Sequence, residues 1–232
     1  MKLLVFSDIH GNSYALDTLL KKMNSLEYDK VVFCGDIFGY YYNQKEILQK
    51  LTNIENIIWL KGNHDEYFLN LYSNSSAKEY FIKNYGHSYD NLDSTYNKTD
   101  ADLISSLSSH HILTTANCSI GIFHGTPDNP LEGRLYPNTV IGNPSVYHNF
   151  DIVILGHTHC RMVRLEGSTL IVNSGSLGQP RDGSGYSYSI IDTAYKSVIF
   201  GNVHFNKTLL YNQIDKYDPT LKKLKAVLER GM

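Results

Sequence analysis

Five short apolar runs, rich in β-branched residues, recur along the chain and are separated by polar segments. Each run is bounded by Gly, Asn or Asp, a pattern that predicts strands buried on both faces. The runs are LLVF (3–6), VVFC (31–34), NIIWL (56–60), SIGIF (119–123) and DIVIL (151–155).

Helical patterns lie between several of these runs. Asn12 and Ser13 can cap a helix that continues as ALDTLLKKMNSL, and QKEILQKL follows the second run. A longer stretch from Glu66 to Leu107 changes from polar to apolar and also predicts helices. Strands that alternate with helices in this way predict an α/β sheet.

The pattern changes after Cys160, where apolar segments alternate with Gly and Ser turns and have no helices between them. This part of the chain predicts antiparallel strands that form or extend a second sheet. The C-terminal segment LKKLKAVLER predicts an amphipathic helix with Leu221, Leu224 and Leu228 on one side. Its lysines are expected to form a solvated face rather than a binding patch.

The length of 232 residues is enough for one sizeable core, so a single domain over residues 1–232 is the simplest expectation. An insertion at about residues 66–115 is expected near the mouth of a site, and its part from Asn70 to Asp100 is rich in Ser, Asn and Tyr. A plain surface excursion explains the same composition.

A formal net charge of −2 gives the chain no broad cationic face, which makes a nucleic-acid partner unlikely. The three cysteines are scattered and odd in number, which suits a reducing compartment better than a disulfide framework. The N-terminal LLVF is too short for a signal peptide or a membrane span. A cytoplasmic protein without a membrane partner is therefore expected.

Ligand-type side chains follow each of the five apolar runs, close to its C-terminal end. In open α/β sheets, ligands bind at the carboxyl ends of the strands. A mixture of Asp, His and Asn favours divalent transition metals over an all-oxygen calcium site. The side chains are Asp8, His10, Asp36, Asn63, His64, His124, His157 and His159.

The pairs in DIH and HTH lie two residues apart, so an extended chain would turn both side chains of each pair to one side. Each motif alone is equally explained by a turn, a cap or a helix start. Five strand ends that all supply ligand-type residues favour a metal site over five separate structural uses.

Five motifs, taken in chain order, resemble those of the calcineurin-like metallophosphoesterases. They are DIH (8–10), GD (35–36), GNHD (62–65), HG (124–125) and GHTH (156–159). The resemblance implies an α/β fold, a four-layer α/β/β/α sandwich of two mixed sheets, with a two-metal centre. It assigns one metal to Asp8, His10, Asp36 and His159, and the other to Asp36, Asn63, His124 and His157. Manganese, iron, zinc, cobalt and nickel all accept such ligands, as divalent or mixed-valence pairs, with manganese or iron foremost.

The same resemblance makes Asp36 the bridging ligand. A bridging carboxylate holds two cations about 3.5 to 4 Å apart, and a hydroxide shared between them can attack phosphorus in line. His64 is similar to the family histidine that stabilises the transition state or protonates the leaving oxygen, with Asp65 to orient it. A simple helix-start histidine is the alternative for His64.

Two further stretches resemble a bacterial subgroup of small phosphoesterases, HGTPDNPLEGRLYP (124–137) and NSGSLGQPRDG (173–183). Arg181 in the second stretch is a candidate phosphate anchor, with a surface pair to Asp182 as the alternative. The chain departs from the subgroup in GDIFGYYY, where Tyr41 and Tyr42 replace Gly and Pro. With Tyr40 they could wall a pocket for a base or an aryl group, although the general abundance of Tyr, 18 of 232 residues, explains them as well.

These features predict a phosphoesterase that acts on small phosphomonoesters or phosphodiesters, with nucleotide-type substrates such as diadenosine polyphosphates implied by the resemblance. A phosphoprotein phosphatase is the first alternative. A non-catalytic scaffold is the second, because the retromer scaffold subunit resembles this fold. A DNA nuclease is disfavoured because the chain has no basic surface.

Overall fold

The computed structural model describes residues 1–90 and 92–230 of the chain. Its strands are β1 Lys2–Phe6, β2 Lys30–Phe33, β3 Ile57–Trp59, β4 His110–Thr115, β5 Cys118–Phe123, β6 Ile152–Leu155, β7 Arg161–Glu166, β8 Thr169–Ser174, β9 Tyr186–Asp192 and β10 Ser197–Val203. Its α-helices are α1 Ser13–Met23, α2 Gln44–Leu51, α3 Asn63–Ser73, α4 Lys78–Tyr85, α5 Leu92–Thr95, α6 Lys98–Ser106, α7 Thr208–Tyr217 and α8 Lys222–Arg230. All five strands expected from the apolar runs are confirmed, and their ends agree to within one residue.

The strands form two mixed sheets of five strands each, in the orders β10-β9-β1-β2-β3 and β4-β5-β6-β8-β7. In the first sheet β1, β2 and β3 are parallel, and β9 runs antiparallel to both β1 and β10. In the second sheet β5, β6 and β8 are parallel, with antiparallel β4 and β7 at the edges. The expectation for the chain after Cys160 therefore holds only in part, because β8 pairs parallel with β6 and the hairpin β9-β10 returns to the first sheet.

Side chains of the central strands alternate between two cores. Leu3 and Val5 of β1 pack between the sheets, whereas Leu4 and Phe6 pack under the helices that cover the first sheet. All four side chains are fully buried, as the continuous apolar run predicts for a strand covered on both faces.

The layers are helices, first sheet, second sheet and a covering segment over the second sheet, which gives the expected α/β sandwich of two mixed sheets. Residues of α1, α2, α3, α6, α7 and α8 all pack in the core on the outer face of the first sheet. The outer face of the second sheet is covered by residues 124–151, where the helical structure is the 3-10 turn Pro144–Val146. Four of the six prolines of the chain lie in this segment, and proline disfavours continuous α-helix.

The expected insertion folds into α3 to α6 and two 3-10 turns, but residues 110–115 form β4, an edge strand of the second sheet. The helical part therefore ends at Ser106. That residues 1–232 form one domain stays a prediction, and Asn91, Gly231 and Met232 lie outside the described residues. Within the described ranges, none of the helices has the length and hydropathy needed to cross a membrane.

Candidate metal centre

The carboxyl ends of β1 and β2 in the first sheet meet those of β5 and β6 in the second. Backbone and side chains cross the junction: the His157 N–H donates to Asp8 Oδ2 over 3.1 Å, and His124 Nδ1 lies 2.7 Å from the Cys34 carbonyl oxygen. The ends of β1, β2, β3, β5 and β6 thus deliver the motif side chains to one place, as expected for an α/β sheet.

The backbone at these strand ends is not extended. Five of the seven expected metal ligands lie in the left-handed region, with φ between 49° and 69°. They are Asp8, His10, Asp36, His157 and His159. The expectation that extended DIH and HTH segments would present their side chains was therefore wrong, and tight turns present them instead. Such backbone is unfavourable for residues with a Cβ and is concentrated at functional sites.

Helix α3 approaches Asp36 very closely, and Gly62 makes this approach possible. A Cβ on Gly62 would lie 2.0 Å from Asp36 Oδ1, so only glycine fits at this position. The His64 N–H in the first turn of α3 donates to the same oxygen over 2.9 Å. One carboxylate oxygen of Asp36 is therefore held by the protein, which leaves Oδ2 for another partner.

Two groups of buried side chains could each hold a metal ion, and Asp36 is common to both. Within each group the ligand atoms lie within 4.8 Å of one another. Asp36 Oδ2 is 3.6 Å from His10 Nε2 on one side and 3.5 Å from His124 Nε2 on the other. The groups are Asp8, His10, Asp36 and His159, and Asp36, His124 and His157.

Backbone carbonyl groups fix the orientation of three of these histidines. The Nδ1 atoms of His10, His124 and His159 lie 2.6 to 2.7 Å from the carbonyl oxygens of Phe38, Cys34 and Gln179. A carbonyl oxygen only accepts, so Nδ1 carries the proton in each neutral ring. The Nε2 lone pairs of all three rings therefore point to the centre.

Bare lone pairs at these distances fit a bound cation. The Nε2 atoms of His10 and His159 are 3.0 Å apart, and the second also lies 3.3 Å from Asp8 Oδ1. Asp8 Oδ1 and Asp36 Oδ2 are buried oxygens without a hydrogen-bond partner. Buried polar atoms are normally paired, so acceptors that face one another here are what a metal centre requires.

The protonation states of the rings agree with this role. Burial, followed by the neighbouring His159, holds the pKa of both His10 and His64 well below the usual value. Burial and His124 lower the pKa of His157 to about 3, and burial with Arg181 lowers that of His159. All four rings are therefore neutral at neutral pH, and a metal ligand must be a neutral imidazole.

The carboxyl groups of Asp36, Asp8 and Asp65 are buried close to one another. Burial raises the pKa of Asp36 well above its usual range, and the carboxyl groups of Asp65 and Asp8 raise it further. Burial also opposes ionisation of Asp8, but His159, His124 and His10 together hold its pKa below the usual value. Cations between these groups would hold both carboxylates ionised.

The remaining two expected ligands lie on the far side of Asp36. Asn63 Oδ1 is 3.1 Å from His124 Nε2, and His157 Nε2 accepts from Arg134 Nε over 2.9 Å. Sequence reasoning missed Arg134, although it lies inside the HGTPDNPLEGRLYP stretch. Its guanidinium adds positive charge beside the centre.

Asp65 does not orient His64, contrary to expectation. It is the third residue of α3, and its carboxylate accepts from the backbone N–H groups of Gly62, Asp36 and Ile37 at 2.8 to 3.0 Å. This is one half of a capping box, in which the third helical residue folds back over the helix start. Asp65 therefore shapes the loop that carries Asp36.

Tyr89, from the helical insertion, is the side chain that contacts His64 Nδ1, the role that was expected for Asp65. Its hydroxyl group lies 2.8 Å from His64 Nδ1, and it is fully buried. Burial raises the pKa of Tyr89 well above its usual value, so the hydroxyl keeps its proton. When it donates to Nδ1, the proton of the neutral His64 ring stands on Nε2. Sequence reasoning could not find this residue, since nothing local marks it among the 18 tyrosines.

The three consecutive tyrosines have different environments. The Tyr40 ring packs edge-on against His10 and lies 5.1 Å from the ring of His64. Tyr41 and Tyr42 face away from the centre: their hydroxyl groups donate to the Leu224 carbonyl oxygen and to the Asp218 carboxylate. Only the first of the three lines the site, whereas the other two hold the C-terminal helices.

Arg181 lies beside Tyr40 and is exposed. Its guanidinium donates to the Tyr40 hydroxyl over 3.1 Å and to Gln179 Oε1 over 2.9 Å. The Asp182 carboxylate accepts instead from the backbone N–H groups of Arg161 and Ser184. The surface pair with Asp182 is therefore not formed, and the guanidinium stands at the rim of the centre.

Comparison with known proteins agrees with this geometry. A model of the calcineurin-like phosphoesterase superfamily domain matches residues 1–196. An uncharacterized protein of Methanocaldococcus jannaschii is 26% identical over an alignment of 234 positions, and the alignment covers 91% of each chain.

Two solved structures share the fold. A hypothetical protein from Pyrococcus horikoshii has a TM-score of 0.78 at 19% identity, with 98% of this chain and 97% of that chain covered. A metallophosphoesterase from Sphaerobacter thermophilus has a TM-score of 0.76 at 21% identity, with 100% and 99% covered. The family match extends from the first residue to residue 196 of 232, and it shows that the chain belongs to the calcineurin-like phosphoesterase superfamily.

Proposed function

We propose that the protein is a two-metal phosphoesterase that hydrolyses small phosphomonoesters or phosphodiesters, nucleotide-type substrates among them. The observation that carries the proposal is the position of Asp36 Oδ2, a buried oxygen without a partner, at nearly equal distances from His10 Nε2 and His124 Nε2. A carboxylate oxygen between two sets of imidazole lone pairs suits a bridge between two cations.

Asp8, His10, Asp36 and His159 would hold one ion, and Asp36, Asn63, His124 and His157 the other. Divalent or mixed-valence transition metals fit this oxygen and nitrogen set, with manganese or iron as the first candidates. Such ions would supply an activated water molecule as nucleophile and would offset negative charge on the phosphoryl oxygens.

The other side chains act on the substrate. The two guanidinium groups of Arg134 and Arg181 flank the centre and can bind phosphoryl oxygens through charge-assisted hydrogen bonds. His64 would give the proton on Nε2 to a departing alkoxide, which is a stronger base than the imidazolate left behind, and the ring would then take a proton back from water. Tyr89 would hold His64 in that tautomer. The metal-ligand side chains and His64 are buried, whereas the two guanidinium groups reach the centre from the exposed rim.

A panel of phosphate esters tests the proposal against its alternatives. The panel contains alkyl and aryl monoesters and diesters, nucleotides, a phosphoserine peptide and single-stranded DNA, each with added manganese. We expect turnover of small esters and none of DNA. Preference for the phosphopeptide would favour a phosphoprotein phosphatase, and no turnover of any ester would favour a scaffold.

Replacing Arg181 by Ala is expected to lower kcat/KM by about tenfold to a hundredfold, because a charge-assisted contact to phosphate is worth about 1.5 to 3 kcal/mol. Lys should rescue the loss only in part, because it lacks the planar fork of Arg. Arg164→Ala, on β7, is the matched control. Steady-state kinetics with metal analysis checks the result, and a rate within about twofold of the unmodified protein would exclude an anchoring role.

A further inference from the structure

A pocket of about 360 Å³ opens beside the metal centre, between the helical insertion and the C-terminal helix. This volume is in the range of small-molecule sites. The insertion supplies Asn84 and Tyr85 at the end of α4, and α8 supplies Lys223, Leu224 and Val227. The remaining wall is made by Tyr40, Gln179 and Arg181.

Residues of the pocket touch the centre directly. The Tyr85 ring packs edge-on against His64 with centroids 4.7 Å apart, and Tyr40 does the same against His10 at 4.8 Å. The main-chain carbonyl of Gln179 fixes His159. A group that leaves a phosphorus atom at the centre, on the side of His64, would therefore enter this pocket.

The aromatic lining favours a flat ring. Tyr40 and Tyr85 stand at 89° to each other with centroids 5.5 Å apart, so they form a corner. A planar group can stack on one ring and meet the edge of the other. Val227 on α8 adds apolar surface to the lining.

The charged lining favours an anion. Among the described residues around the pocket, the charged side chains are Arg181 and Lys223, and none is acidic. Lys223 Nζ also donates to the Asn84 carbonyl oxygen over 2.6 Å, which holds the ammonium group at the pocket wall. Two cations around one pocket attract a negatively charged group and disfavour a positively charged one.

We propose that this pocket receives the leaving group, and that Lys223 selects leaving groups that combine a flat ring with a negative charge, as a nucleoside monophosphate does. The inference rests on the phosphoesterase activity proposed above and adds a determinant of specificity to it. Lys223 lies beyond residue 196, where the family match ends. A binding role for Lys223 also goes beyond the expectation that the lysines of this helix form a solvated face rather than a binding patch.

Two methyl phosphodiesters test the selection by charge, one with phenol and one with 3-hydroxybenzoate as the leaving group. The two phenolic groups have similar pKa values. The ratio of kcat/KM for the 3-hydroxybenzoate ester to kcat/KM for the phenyl ester therefore reports recognition of the carboxylate. We expect Lys223→Glu to lower this ratio at least about fivefold, since it turns an attraction into a repulsion. Lys222→Glu, on the neighbouring exposed position of α8, is the matched control and should leave the ratio unchanged.

Lys223→Gln separates charge from tethering, because its amide can still donate to the Asn84 carbonyl oxygen. It should weaken the preference without reversing it. A structural tether alone predicts lower thermal stability for Lys223→Glu than for Lys223→Gln, with an unchanged ratio in both variants. That outcome would overturn the proposal.

Binding gives a second measurement that needs neither metal nor turnover. Equilibrium dialysis with EDTA measures the affinity of the 232-residue chain for adenosine monophosphate and for adenosine. Lys223→Glu should weaken binding of the monophosphate at least about fivefold and leave adenosine unaffected. If the protein shows this difference in binding but hydrolyses none of the esters, the result would support the proposed role of the pocket and refute the proposed phosphoesterase activity. Equal monophosphate affinity of Lys223→Glu and Lys222→Glu would overturn the pocket.

Discussion

Asp36→Asn is expected to remove almost all hydrolysis, by about three orders of magnitude or about 4 kcal/mol of transition-state stabilisation, together with most of the bound metal. Asn keeps an oxygen that can accept from the His64 N–H, but it places an NH₂ group where the unpartnered oxygen lies between His10 and His124. An amide nitrogen does not bridge two cations. Metal analysis beside steady-state kinetics measures both losses.

The folded chain itself should tolerate this change. Burial and two neighbouring carboxyl groups already disfavour the charge of Asp36, so the neutral Asn should leave the melting temperature in EDTA equal or higher. Asp102→Asn, at an exposed position of α6, is the matched control for kinetics and metal content. Two metals per chain and near-normal turnover in Asp36→Asn would contradict the assignment.

His64→Ala is expected to slow the hydrolysis of alkyl phosphate esters by about a hundredfold, and that of nitrophenyl esters by less than about tenfold. General acid catalysis typically contributes factors of this size, and an alkoxide needs a proton more than a nitrophenolate does. His111→Ala, at an exposed position of β4, is the matched control. The measurement is kcat for both ester types.

Tyr89→Phe tests how His64 is held. It keeps the ring packing but removes the hydroxyl group 2.8 Å from Nδ1, so it should show the same bias against alkyl esters in a weaker form, with metal content unchanged. Equal losses on both ester types in His64→Ala would instead assign His64 to charge stabilisation. A normal rate of Tyr89→Phe on alkyl esters would remove its positioning role.

The sequence was sufficient to predict the five strands of the apolar runs and the ligand-type side chains that follow them. Both come from local rules: buried strands read as apolar runs, and parallel strands bring the residues at their carboxyl ends to one edge of a sheet. The backbone that presents Asp8 and His10 could not be predicted, because left-handed turns there are imposed by the junction of two sheets and not by local propensity.

The partners of His64 and the substrate pocket depended on packing between distant parts of the chain. Asp65 is the third residue of a helix that begins at Asn63, after Gly62. This position was a local signal that it caps the helix start, and it could have corrected the expectation. Tyr89 and Lys223 carry no such signal. Tyr89 reaches His64 only through the packing of the 3-10 turn His87–Tyr89, and Lys223 lines the neighbouring pocket only because α8 packs beside α4.

Hydrolysis followed during a manganese titration tests the central claim most directly. The protein is first treated with a chelator and dialysed, and the turnover of a small phosphate ester is then measured against equivalents of metal added per chain. Two ions joined by Asp36 predict no turnover without metal and a rise that reaches its plateau at two equivalents, with Asp36→Asn inactive throughout. Full turnover in the chelated protein, or a plateau at one equivalent, would contradict a two-metal centre.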